Sequence, residues 1–194
     1  MVTLGITGGI GSGKTYVARL MEHGGVPVYY TDTEARRLMN TDAGIREALT
    51  RLVGADAYLQ GGGLNKAFVA DYLFSDPRHA LWVNGIVHPV VRRDFLRWAA
   101  SRNEPIVAME CAILFESGFD TLVDAVLAVC APVQVRVERA MLRDGATEAQ
   151  IRARMAAQWT DEERIARANY IIYNDGQTDV QAEADALLER LRHA

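Results

Sequence analysis
Lysine is almost missing from this chain of 194 residues. Among its 21 basic residues only Lys14 and Lys66 are lysines, and the rest are arginines. Arginine pairs with phosphate in a planar, two-pronged way, but biased codon usage explains the richness equally well. The formal net charge is −4, so no overall positive field argues for a nucleic-acid partner. Cysteine is scarce too. Cys111 and Cys130 each end an apolar run, and two buried thiols in an intracellular protein are expected rather than a disulfide. No Cys/His spacing resembles a zinc site. No apolar run reaches the ~18 residues that span a bilayer. Met1 leads straight into a strand pattern, without a basic segment ahead of a long apolar one, so no signal peptide is expected. We also find no repeat, low-complexity tract or acidic tail. These absences lead us to expect a cytoplasmic protein with no membrane or nucleic-acid partner; a monomer is expected, with oligomers left open. The length suits a single domain with subdomains inserted in it.

What is present is a set of short apolar runs separated by helical stretches. Strands are expected at 2–7, 26–30, 105–110, 124–131 and 170–173. Helices are expected at Lys14 to Glu22, from Pro132 to about Arg143, and from Asp179 to His193. Thr31 with Glu34, Thr147 with Gln150 and Thr160 with Glu163 read as capping boxes. Residues 34–102 look mostly helical, with starts at Asp42 and Asn65, a loop at 54–63, and a break or new start at His88–Pro89. The pattern is α/β: a five-stranded parallel sheet with helices on both faces. The stretch between the second and third strands is too long for an ordinary crossover and reads as an insert. The core is expected at 1–33, 103–131 and 165–194, with a lid at about 132–164. In such folds the ligand sits off the carboxyl ends of the strands.

Between the first strand and its helix stands GGIGSGKT, residues 8–15. It fits G-x-x-x-x-G-K-[ST] in the required strand-then-helix context. Phosphate oxygens need several backbone N–H groups converging on one point, and side chains there would block the approach. Gly9, Gly11, Ser12, Gly13 and Tyr16 are therefore expected to offer backbone donors, helped by the positive end of the helix dipole. Lys14 would neutralise the β- and γ-phosphates of ATP, and the Thr15 hydroxyl would bind Mg²⁺.

This loop indicates nucleotide binding without naming a reaction. A GTPase is disfavoured: no Asp has Gly three positions later, and "NKAF" at Asn65 has Phe68 where a guanine-reading carboxylate should stand. A motor or DNA-dependent ATPase stays weakly open, because the strand at 105–110 ends in Glu110 where an Asp is usual. A small-molecule kinase fits better. It needs an acceptor-side carboxylate, an acceptor pocket and an arginine-bearing lid that keeps water from competing. Asp32, just past the second strand, suits the carboxylate; a first-turn aspartate complementing the helix dipole is an equal reading. Arg136, Arg139 and Arg143 recur at helical spacing, with Arg152 and Arg154 on the next helix. They read as a lid or as a solvated helix face. Trp82, Trp98 and Trp159 are expected in core or helix packing.

The chain resembles the dephospho-CoA kinase family over nearly its whole length. The resemblance rests on "GITGGIGSGKT", "GGVPVYYTD", "LWVNGIVHPVVRR", "AILFESGF", "RVERAMLRDGATEAQIRARMAAQ" and "ANYIIYNDG", in that order. It implies a P-loop kinase fold and ATP-dependent phosphorylation of the ribose 3′-hydroxyl of dephospho-CoA, the last step of coenzyme A synthesis, with Mg²⁺. It implies Asp32 as catalytic base or orienter of the hydroxyl, with Lys14 and Arg143 stabilising the transferred group. It places Asn174 and Gly176 near the adenine. His88, Leu114, Phe115, Glu116, Arg139 and Arg154 would serve the acceptor, whose CoA moiety the helical insert would hold; for His88 a helix-start histidine bonded to backbone is the other reading. The sequence departs from the family pattern at Tyr30, Ala112, Cys130 and Tyr173, where Asp, Pro, Asp and Asp are usual. Another P-loop kinase, or an ATP-binding module without turnover, remains the alternative.

Overall fold
The structure is a computed structural model and describes residues 1–193. They fall into two compact units, one formed by Met1–Tyr30 with the chain from Ser101 onward, the other by Thr31–Ala100.

The first unit is built on β1 (Val2–Thr7), β2 (Val28–Tyr30), β3 (Ile106–Glu110), β4 (Ala125–Cys130) and β5 (Tyr170–Tyr173). All neighbours pair in parallel, in the order β2-β3-β1-β4-β5. β2 is two residues shorter than expected, because pairing begins at Val28↔Ala108. Strands covered on both faces need apolar side chains throughout: β3 is buried at all five positions. Helices α1 (Lys14–His23) and α9 (Val180–Arg192) set Val17, Met21, Leu187, Leu188 and Leu191 against Leu4, Ile6, Ile106 and Leu127 in one core cluster. Each fully buried Leu or Ile contributes about 1.5–3 kcal/mol. From the carboxyl end of β1 the chain crosses to β2 on one side, and from that of its neighbour β3 it crosses to β4 on the other, so the direction of crossover reverses at the carboxyl ends of β1 and β3. That is where an open α/β sheet has its ligand crevice. The unit also holds α6 (Val133–Asp144), α7 (Glu148–Ala156) and α8 (Asp161–Ile165). Capping boxes start α7 at Thr147/Gln150 and α8 at Thr160/Glu163.

The second unit is helical: α2 (Thr31–Thr41), α3 (Ala43–Val53), α4 (Lys66–Ser75) and α5 (Pro77–Ala100). Asp42 caps α3 through the Ile45 N–H, and Asn65 caps α4 through the Phe68 N–H. Helix α2 begins on Thr31 itself, directly after β2, with Asp32 and Glu34 in its first turn. Arg37 ties Glu34 (2.5 Å) to Asp94 (2.6 Å).

The break expected at His88–Pro89 is absent, for α5 runs through it. Val83, Val87, Val90, Val91, Phe95 and Ala99 form one buried stripe at helical spacing on both sides of Pro89. Their shared burial outweighs the lost hydrogen bond, about 3 kcal/mol for an interior proline. Trp98 stacks on Phe95 at 6.0 Å as expected for packing. Trp82 does not lie in a core: it is 47% exposed, beside His79 and Arg78. Among the described residues no helix is long and apolar enough to cross a membrane.

Candidate active site
The turn after β1 is shaped by what its neighbours leave no room for. Gly11 and Gly13 have φ of +77° and +91°, values side chains rarely adopt. A Cβ on Gly11 would collide with the Arg136 backbone, and one on Gly13 with the Asn174 side chain. The Ser12 N–H closes the turn on the Gly9 carbonyl at 3.1 Å. Helix α1 then starts at Lys14, with left-handed Gly13 as its cap and no side chain capping it. Its first N–H groups are thus available to an anion. The Ser12 hydroxyl is buried without a protein partner, a donor that a phosphate oxygen would satisfy.

Glu110 completes this cradle. It ends β3 beside Ile6 of β1, is 5% exposed, and lies 3.5 Å from Lys14 Nζ. The Thr15 hydroxyl donates to its Oε1 at 3.3 Å. A buried carboxylate needs such partners. Sequence alone left Glu110 as a weak hint, because nothing in a linear chain says that β3 lies next to β1.

On the other side, Arg139 donates to the Asn174 carbonyl at 2.9 Å, and Asn174 Nδ2 donates to the Ser12 carbonyl at 3.0 Å. Arg139, expected at the acceptor, thus joins the residues around the phosphate loop. Gly176, at φ +88°, gives the following turn its left-handed residue. Arg136, read as one of a helical face of arginines, is 5% exposed and binds the Ile10 carbonyl at 2.9 Å and Asp161 at 2.9 Å.

Arg143 and Arg154 lie farther out on α6 and α7. Both hold Asp144, at 2.7 and 3.1 Å, and both are more than half exposed. Arg143 keeps the Asp144 carboxyl below its ordinary range, and Asp144 in turn raises Arg143. Of the acceptor segment, Leu114 is fully buried and packs where a Cβ on Gly5 would fall, so it has no surface to offer a ligand. Phe115 stacks on Trp159 at 5.5 Å. Glu116 accepts from the Trp159 N–H at 3.1 Å and lies 3.4 Å from Arg164. Arg164, which sequence reasoning missed, is wholly buried. It donates to the Trp159 carbonyl at 2.6 Å and meets Asp161 at 3.4 Å. Burial pushes its guanidinium down from the usual range, and Glu116 and Asp161 push back.

Tyr30, in the position where an aspartate is usual, turns its hydroxyl to Glu22 at 2.8 Å. Burial and that carboxylate raise it. Tyr16 leaves its side chain half in solvent. In the helical unit, Asp32 is exposed in the first turn of α2. His88 is half-buried within α5, and burial together with Arg92 lowers its pKa. Cys111 and Cys130 are buried and form no disulfide.

A glycine loop between a parallel strand and a helix, at the crevice of an α/β sheet, with a lysine facing a buried carboxylate, defines a P-loop nucleotide-binding fold. The dephospho-CoA kinase family profile matches residues 2–180. A dephospho-CoA kinase of Bacteroides fragilis is 48% identical over 177 residues, 91% of this chain and 86% of that one. The crystal structure of a Thermus thermophilus protein superimposes with a TM-score of 0.85 at 35% identity, covering 98% of this chain and 97% of the other. A dephospho-CoA kinase from Campylobacter jejuni shares the fold, with a TM-score of 0.72, 19% identity and coverage of 98% and 97%. The chain belongs to the dephospho-CoA kinase family.

Proposed function
We propose that the protein transfers the γ-phosphoryl group of ATP to the 3′-hydroxyl of dephospho-CoA, giving coenzyme A. The observation that carries this reading is the family match across residues 2–180 together with the strand–loop–helix geometry around Lys14. The backbone N–H groups of Gly9, Gly11 and Gly13 to Tyr16 hold the phosphate tail, with the Ser12 hydroxyl beside them; the Ser12 N–H, expected as a donor, is instead spent on the Gly9 carbonyl. Lys14 places a cation against the β- and γ-oxygens, where charge shifts during transfer. Asn174, fixed by Arg139, and Gly176 flank the base of the nucleotide. Asp32 accepts the proton of the attacking hydroxyl or orients it. The unit Thr31–Ala100 carries the acceptor, with His88 as one contact, and Phe115, Glu116 and Arg154 serve the same substrate. Helices α6 to α8 form the lid, and Arg143 turns from Asp144 to the transferred group.

Mg²⁺ suits the residues present. Thr15 and Glu110 offer two hard oxygen donors beside the phosphate cradle. Among the described residues no group of three or more His, Cys, Asp or Glu is placed to hold an ion. Mg²⁺ binds in this way, through one or two protein oxygens plus substrate phosphates and water. When bound it would neutralise phosphate charge and orient the oxygens. The protein is read as cytoplasmic, a monomer with oligomers left open, binding neither nucleic acid nor membrane; its net charge of −4 offers nucleic acid no overall positive field.

The test is ADP release from magnesium-ATP with dephospho-CoA, set against nucleosides, nucleotides and sugars. Release only with dephospho-CoA is expected. Release with another acceptor would make this a different small-molecule kinase, and ATP binding without release would make it a binding module. Asp32→Asn is expected to keep ATP affinity and lower kcat ~100-fold, the usual scale for a lost acid–base group. An unchanged kcat would remove Asp32 from that role.

A further inference from the structure
Ile10 is the apolar residue at the tip of the phosphate loop, and its peptide is gripped from both sides. Its N–H donates to Gln158 Oε1 at 3.0 Å, and its carbonyl accepts from Arg136 Nε at 2.9 Å. Arg136 stands in the first turn of α6, and Gln158 follows the end of α7. The hairpin between them therefore starts and ends on one residue of the loop. The Ile10 side chain is bound to the same hairpin. It packs with Met141 and Met155 against Val137, Ala140 and Ile151, a small core separate from that of the sheet. Arg136 is itself fixed by Asp161 and lies against Gly9 and Gly11, so its position does not depend on Ile10 alone. Behind Arg136 and Gln158 a cavity of about 670 Å³ opens, lined by Cys130, Val133, Met155, Trp159, Ile165 and Tyr173. The hairpin thus has open space on one side of its attachment.

We propose that Arg136 and Gln158 are positioning residues for phosphoryl transfer. They clamp the Ile10 peptide, and Ile10 is the pivot on which the α6–α7 hairpin sits. The shape of the phosphate loop and the set of the hairpin are then one coupled unit. A nucleotide that orders the loop also sets the helix bearing Arg139 and Arg143. The proposal rests on the reading of residues 8–15 as the ATP phosphate site.

The clamp is tested first without nucleotide, by hydrogen exchange at the Ile10 amide. Gln158→Leu keeps similar apolar bulk, one atom shorter, and loses the acceptor. Its Ile10 amide should exchange roughly fivefold faster or more, the scale of one lost hydrogen bond, while core amides such as Leu4 keep their protection. Gln158→Glu keeps an acceptor oxygen and should keep Ile10 protection near wild type. In turnover, Gln158→Leu should raise KM for ATP roughly fivefold and leave KM for dephospho-CoA unchanged. Ile10→Ala removes the plug, and trypsin should cut at Arg143, Arg152 and Arg154 several-fold faster. Wild-type exchange in Gln158→Leu, or equal loss of protection in Gln158→Glu, overturns the clamp. Unchanged cleavage in Ile10→Ala overturns the pivot. These readouts need no catalysis, so a failure of the kinase reading shows separately, as absence of ADP release from the unaltered protein.

Discussion

Arg136 and Arg143 sit about two turns apart on one helix and live under opposite conditions. Arg136 is buried, bonded to a backbone carbonyl and a carboxylate, and packed on two glycines. Arg143 stands 62% exposed on a neighbouring aspartate, near Leu142, which is 90% exposed. The inner end of the hairpin is fixed by groups that cannot find a substitute in water. The outer end is held by pairs that water exchanges at little cost. A phosphate cradle must be shaped before its ligand arrives, whereas an arginine that follows the transferred group must be free to leave its resting partner.

Four substitutions or conditions test this contrast, taken from the largest stability effect downward. Arg164→Met removes the fully buried guanidinium from Glu116, Asp161 and the Trp159 carbonyl, and should cost about 3 kcal/mol in urea denaturation. A loss under about 1 kcal/mol would show that the inner end is not held by these pairs. Gly11→Ala meets both a left-handed φ and the Arg136 backbone, and should cost about 2 kcal/mol with loss of ATP binding.

Alkaline pH probes the same end. Burial and the Asp161 charge raise the Cys130 thiol from 9.0 to about 11. The fold favours the protonated thiol, so its contribution is complete below pH 9 and disappears as pH rises towards 11. The unfolding free energy should fall across that window by up to about 2 kcal/mol, and by less in Cys130→Ala. The smallest stability effect belongs to Arg143→Ala. It should move stability by less than about 0.5 kcal/mol yet lower kcat ~100-fold if this arginine reaches the transferred group. A kcat within twofold of wild type would leave Arg143 a surface residue.

The sheet was readable because each buried strand is a short apolar run, and the starts of α3, α4, α7, α8 and α9 were readable from their side-chain caps. The phosphate loop was readable because its demand for glycine and lysine is local. Pro89 misled because a local rule was overruled by a stripe of valines that acts only once the helix packs. Glu110, Arg136, Gln158 and Arg164 act across strand order and helix packing. Arg164 pairs with Glu116, 48 residues away, and spacing carries no trace of such a pair. The same holds for Arg139, whose partner Asn174 is fixed by β5 lying next to β4.

The proline within α5 has a mechanical consequence. With no N–H at position 89, the carbonyl of Gly85 loses its usual donor one turn back, and glycine there adds backbone latitude. A rod of 24 residues, about 36 Å long, thus carries a compliant joint close to its middle. The half bearing Leu81 and Trp82 and the half bearing Phe95 therefore meet where the main-chain ladder is one hydrogen bond short.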